Sequence, residues 1–361
     1  MTKTPAEAGF YMPAEWEKHE GAWLQWPHDD VYPGNQMRLE HIWLAMTEAL
    51  HQHETVHIVV TDERGRDHLQ QQVAYYGFDQ SRLDVHVFPT NDVWARDSGP
   101  IFLVNGQGQL AATDWNFNGW GARYPFEKDR KVPAGIADML SLPLFTAPIT
   151  LEGGGVEVNG KGTLLATRSS IINPNRNPGK AQAEIEKALR QYLCIEHIIW
   201  LTGKIGLGDT DMHIDGAARF VDETTVLYSW TDDASHPRYP YFKRHLDELK
   251  KAVTQSGEPL TLVPVPVTEA RVYSTRATST VPPFESVLSL GLYANYYVAN
   301  KVVLVPVYGD VNDAVAKGII SEHFPGREII GIHAPLVAEL GGMMHCVTQQ
   351  QPAGFVHRRP A

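Results

Sequence analysis

Four stretches of this chain read as strand, tight turn, strand, and a carboxylate opens each of the first three. WARDSGPIFLVNGQGQLAATDW turns at Asn105-Gly106, LEGGGVEVNGKGTLLATRSS at Asn159-Gly160, and HIDGAARFVDETTVLYSW near Asp222. YANYYVANKVVLVPVYG has the same shape, with a turn near Asn300. Asn-Gly between alternating apolar residues is a strong hairpin signal, because both residues accept the positive φ that a tight loop demands. GGMMHCVTQQQP enters a last strand. Between these stretches MRLEHIWLAMTEAL, GKAQAEIEKALRQYL and YFKRHLDELKKAVTQS place apolar residues at helical spacing. The pattern predicts an α/β chain built by repetition of hairpin plus helix. If the repeats are related by rotation about one axis, their opening residues Asp97, Glu152, Asp215 and Cys346 meet at its centre.

With 361 residues the chain is long enough for two domains, but no linker, charge block or low-complexity segment divides it. One domain over residues 1–361 is expected. The formal net charge of −11 argues against a nucleic-acid or anionic-membrane partner, which would call for basic patches. No apolar run approaches the roughly 18 residues of a membrane span. The start of the chain, MTKTPAEAGFYMPAEWEKHEG, lacks the apolar core of a secretory signal. The two cysteines, Cys194 and Cys346, make no disulfide framework, so a cytoplasmic location is expected.

The residues suited to chemistry are concentrated at the hairpin openings. In DTDMHIDG, Asp209, Asp211, His213 and Asp215 alternate, and in an extended strand they would line one wall. Burying that much negative charge calls for a cation, either a ligand or a metal. The acid-heavy set suits a hard cation better than zinc, and no HExxH pattern occurs, so no metal is assigned to it. In WARDSGP, Gly-Pro breaks a strand and would leave Asp97 at its end, with Trp94 placed to cover a planar cation. Glu152 precedes three glycines, which allow close approach of backbone or ligand. Cys346 lies in a glycine-rich and then polar setting and is a candidate nucleophile. Cys194, inside apolar YLCIEHIIW, reads as an inert buried thiol. His345 would point away from its neighbour Cys346 and receives no catalytic role.

MPAEWEKHEGAWLQWP, WARDSGP, DWNFNGWG, LEGGGVEVNGKGTLLAT, NPNRNP, DTDMHIDGAARFV and HCVTQQQP occur in this order almost from end to end. In this the chain resembles the agmatine deiminases and bacterial-type peptidylarginine deiminases. The resemblance implies a pentein-type α/β propeller, five ββαβ modules about a pseudo-fivefold axis. It implies hydrolysis of the guanidinium of a small cation such as agmatine to a ureido product and ammonia. Cys346 would be the nucleophile and His213 the general acid and base, with Asp97 and Asp215 gripping the guanidinium nitrogens. Glu152 would support the site by orienting His213 or a substrate nitrogen, and Trp94 would lie against the guanidinium. Trp120 and Asp211 are candidates for reading the amine tail. No cofactor is implied, because the substrate brings the positive charge. Relatives of this kind are often dimers or larger, which leaves a homo-oligomer open. The chain departs from the family pattern at Gly342-Met343-Met344, where Gly-Asn-Ile is frequent. It departs again at Met212, where Gly is frequent, and at Ser98, where Thr is frequent. Rival readings are a peptidylarginine deiminase, arginine deiminase or amidinotransferase of the same fold, a non-catalytic polyamine-binding protein, and a divalent-metal hydrolase.

Overall fold

The computed structural model describes residues 3–29, 32–270, 272–273, 288–289 and 291–354. All four expected hairpins form. Ile101–Asn105 pairs antiparallel with Leu110–Asp114, Val156–Val158 with Thr163–Thr167, Ala218–Phe220 with Thr225–Trp230, and Tyr297–Val298 with Val302–Val307. Each second strand is followed by a helix and then by a strand parallel to it. Those third strands are Leu144–Thr146, His197–Leu201, Thr261–Pro266 and Glu328–His333. The two ends of the chain build a sheet of the same pattern. Thr348–Pro352 lies antiparallel to His19–Gln25, which runs parallel to Thr55–Val60, and Leu83–Val87 forms the edge.

The helices follow their apolar spacing. Gln36–Leu50 buries Leu39, Ile42, Trp43, Met46 and Leu50, a stripe repeating every three or four residues. Gln182–Tyr192 buries Ile185, Ala188 and Leu189, and Tyr239–Leu249 buries Phe242, Leu246 and Leu249. Strands such as Ile101–Asn105 and Thr163–Thr167 are buried along their whole length, as expected when both faces are covered. The apolar side chains form several separate clusters rather than one core. Among the described residues, no helix is long and apolar enough to cross a membrane.

Two local expectations are corrected. Residues 209–215 are not an extended strand. Asp211 and Met212 both take left-handed backbone, φ 57 and φ 67, and Ile214–Gly216 is a short 3-10 turn. The Ser169 hydroxyl donates to the Asp211 carbonyl and the Thr167 hydroxyl to that of Met212, each at 2.6 Å, which holds this costly conformation in place. A glycine at position 212 would adopt it without strain. Asp97, for its part, does not end a strand. It sits in a single helical turn, Ala95–Ser98, that precedes the strand Ile101–Asn105.

Candidate active site

Four loops, each leading into a hairpin or sheet, bring their polar residues to one buried place. The turn Ala95–Ser98 is tied to the C-terminal loop where Arg96 N donates to the Cys346 carbonyl at 3.2 Å. Gly154 lies at the bottom of the site. A Cβ added there would stand 2.7 Å from His213 Nδ1 and 2.9 Å from both Asp215 Oδ2 and Asp97 Oδ1. These three side chains therefore converge on a point that only glycine leaves open. The Gly154 amide donates to Asp97 Oδ1 at 2.9 Å, and the Trp120 indole N–H donates to Asp97 Oδ2 at 2.8 Å.

His213 Nε2 lies 3.1 Å from Glu152 Oε2, while Nδ1 lies 3.7 Å from Asp97 Oδ1. Nδ1 has no hydrogen-bond partner among the described residues, so it is the nitrogen left for chemistry. The Cys346 thiol faces Asp215 Oδ2 at 3.6 Å and Asn295 Oδ1 at 3.4 Å. Asp97, Glu152 and Asp215, each ahead of a hairpin, and Cys346, ahead of the last strand, are thus brought to one place around His213. His213, Asp215, Asn295 and Cys346 line a cavity of roughly 90 Å³. Trp94, Asp97, Trp120 and Cys346 line a narrower one that shares the sulfur.

The electrostatics follow from burial opposed by neighbours. Burial disfavours a charged His213, yet Asp97, Glu152 and Asp215 outweigh it and raise its pKa to about 9, so imidazolium is the resting form at neutral pH. Burial pushes the Cys346 thiol well above its usual range, and Asp215 and Asp97 push it further. Asp97 is also raised, by burial and by Asp215 and Glu152 against the pull of His213. Burial would raise Asp215 too, but the hydrogen bond and charge of His345 bring it below the ordinary aspartate value. Burial and Arg176 compete in the same way at Glu152, and the arginine prevails.

The structure places the other sequence candidates as follows. Trp94 is buried on the wall of the narrower cavity. Trp120 stands beside it but spends its indole N–H on Asp97. Asp211 is a correction, because it is fully buried and lines neither cavity. Both its oxygens are taken by arginines, Arg176 Nη1 at 2.6 Å and Arg123 at 2.9 and 3.0 Å, with the Gly206 amide at 2.5 Å. The left-handed turn swings it there. Cys194 lies outside the site, and burial raises its pKa to about 12. Four supporting groups escaped the sequence reading. Arg176, in NPNRNP, holds Glu152 at 2.8 Å. Asn295 accepts from the His345 amide at 3.1 Å as well as facing the thiol. Glu15 and Arg219 form a buried pair at 3.0 Å behind His345. An arginine inside a strand as apolar as GAARFV was the one available signal.

The model of the Porphyromonas-type peptidyl-arginine deiminase family matches residues 11–352. The chain belongs to this family. Its relatives in the family are similar over nearly their whole length. The agmatine deiminase of Stutzerimonas stutzeri (strain A1501) is 32% identical, with 99% of each chain covered. The structure of Enterococcus faecalis agmatine deiminase superposes with a TM-score of 0.85 at 28% identity, covering 98% of each chain. That of a cysteine-to-serine variant of C. jejuni agmatine deiminase with substrate bound gives 0.82 at 25% identity, covering 96% of this chain and 97% of the other.

Proposed function

We propose that this member of the family hydrolyses agmatine to N-carbamoylputrescine and ammonia through a covalent amidino-thioether on Cys346. The observation that supports it most is that Cys346 and His213 line one cavity, with Asp215 3.6 Å from the sulfur and Asp97 and Glu152 3.7 and 3.1 Å from the imidazole nitrogens. The similarity to agmatine deiminases over almost every residue points to the same substrate. We further read the five sheets of like topology as one domain, modules of a pentein-type propeller with the site on its axis.

Each step uses a group already in position. Asp97 and Asp215 grip the guanidinium nitrogens and fix its plane. The bound cation offsets the two carboxylates that hold the thiol protonated, and the thiol releases its proton to solvent as substrate arrives. The sulfur adds to the guanidinium carbon, giving a neutral tetrahedral adduct. His213 donates a proton from Nδ1 to one nitrogen, the C–N bond breaks, and ammonia leaves. The carbon remains as a cationic amidino-thioether. Neutral His213 then takes a proton from water as its oxygen adds to the same carbon. The C–S bond breaks, thiolate and imidazolium return, and the ureido product departs with its surplus proton passed to ammonia. Glu152 keeps Nδ1 aimed inward by holding Nε2. Trp94 covers a face of the guanidinium.

The test is the yield of ureido product from agmatine, free arginine and an arginine peptide, with Cys346→Ala in parallel. Agmatine should turn over fastest, and the variant should form no product. Undiminished turnover by Cys346→Ala would refute the nucleophile, and preference for the peptide would refute the substrate. A covalent adduct of a haloacetamidine on Cys346 separates this reading from a polyamine-binding protein. Activity that survives EDTA removes the metal-hydrolase reading.

A further inference from the structure

We propose that His57, Asp84 and His86 form a binding site for a divalent transition-metal ion of the zinc class, outside the catalytic pocket. The parallel strands Thr55–Val60 and Leu83–Val87 set His57 opposite Asp84 and Val59 opposite His86. Alternate residues of a strand share a face, so the two imidazoles and the carboxylate project from the same side of the sheet. One donor atom from each lies within 4.8 Å of the other two. His57 Nδ1 is 3.2 Å from His86 Nε2 and 3.5 Å from Asp84 Oδ2. Bonds of about 2.0–2.2 Å to a tetrahedral ion separate neighbouring ligand atoms by roughly 3.3–3.6 Å. Two of the three edges therefore already have coordination spacing.

The imidazoles are held ready. Trp23 stacks on His57 at 4.3 Å and on His86 at 5.0 Å, with ring planes 12° and 23° apart. Burial lowers the pKa of His57 to about 3 and lowers that of His86 as well, so at neutral pH both rings are in the unprotonated form a metal requires. The Asp84 side chain is 57% exposed, which leaves a route for the ion and room for water ligands. Because Leu83–Val87 is the edge strand, the ion would clip the edge of the sheet to its neighbour. His57 Nε2 has no hydrogen-bond partner among the described residues. The outer-sphere acceptor that strengthens most metal-bound histidines is therefore missing, and micromolar rather than nanomolar affinity is expected. The competing account is a single N–H···N hydrogen bond between the two rings, with no affinity for metal.

Cobalt(II) separates the two, since its visible absorption reports nitrogen and oxygen ligation. The full chain carrying Cys346→Ser removes the active-site sulfur as a rival ligand. It should bind one equivalent, displaceable by zinc(II). Adding His86→Ala should weaken binding at least about tenfold, and the exposed Asp84→Asn, which cannot disturb folding through the core, should weaken it several-fold. Absence of binding up to on the order of 1 mM cobalt would overturn the proposal. So would identical titrations of Asp84→Asn and its parent.

Discussion

His345, next in sequence to Cys346, places Nδ1 2.9 Å from Asp215 Oδ2, the same oxygen that faces the Cys346 thiol at 3.6 Å. Its Nε2 lies 2.8 Å from Glu15 Oε2. Glu15 in turn faces Arg219 at 3.0 Å and Arg96 at 3.4 Å, and against its burial Arg219, His345 and Arg96 hold its pKa far below the ordinary value. Asp215 is thus kept ionised and aimed by a chain of buried charge behind it. His345→Gln should lower kcat/KM for agmatine by roughly 10- to 100-fold, the equivalent of about 1.5–3 kcal/mol for a hydrogen bond to a charged group. Steady-state kinetics beside a thermal melt decide it. A lower Tm with unchanged kcat/KM would mean that His345 only packs.

The protonation states predict the pH profile. The free site rests as thiol plus imidazolium, with His213 at about 9 and the thiol higher still. The reacting form, thiolate plus imidazolium, has one proton fewer. kcat/KM, which reports the free enzyme, should therefore rise about tenfold per pH unit through the neutral range and level off near pH 9. The limb belongs to the coupled pair rather than to either residue. Glu152→Gln removes a carboxylate that raises His213, so the limb should move to lower pH. A profile flat from pH 6 to 8 would show that the thiol is already ionised without substrate.

Gly154 tests the convergence directly. The Cβ of Gly154→Ala would meet His213, Asp97 and Asp215 at 2.7–2.9 Å, closer than real Cβ contacts. All three must shift, and a displacement of about 1 Å in a catalytic group can cost roughly 10²-fold in rate. The expected result is a folded protein with kcat reduced by about that factor. Circular dichroism paired with the agmatine assay reads both. Wild-type activity in a folded Gly154→Ala chain would mean the three side chains do not surround the reacting carbon.

The hairpins and helices were legible because their causes are local. Asn105 Oδ1 accepts from the amides of Gln107 and Gln109, and Asn159 Oδ1 from those of Lys161 and Thr163, so each asparagine organises its own turn. The helices announce themselves by spacing, as in Leu39, Ile42, Trp43 and Met46. Cys346, His213 and the three acids were legible as candidates because they stand just before those hairpins or, for Cys346, before the last strand. What escaped depends on residues distant in sequence. The turn at Asp211 and Met212 is held by hydroxyls from Thr167 and Ser169. The one-turn helix at Ala95–Ser98 leans on the Cys346 carbonyl. Arg176, Arg219 and Glu15 matter only through partners that no local pattern reveals.

Asp211 separates support from recognition. Its two oxygens pair with Arg123 and Arg176, and Arg176 also holds Glu152, which holds His213. Against its burial the arginines keep Asp211 below the usual aspartate pKa, so it is ionised at neutral pH. Asp211→Asn removes the charge and leaves two cations facing each other with one fewer anion between them. Breaking a buried pair in this way costs about 3–5 kcal/mol, so urea unfolding should show a loss of that order. Because the folded pKa is depressed, this stability is present above the unfolded aspartate pKa and fades as pH falls below it. The agmatine-to-arginine preference should not move, since Asp211 lines neither cavity. A changed preference with unaltered stability would return Asp211 to the binding site.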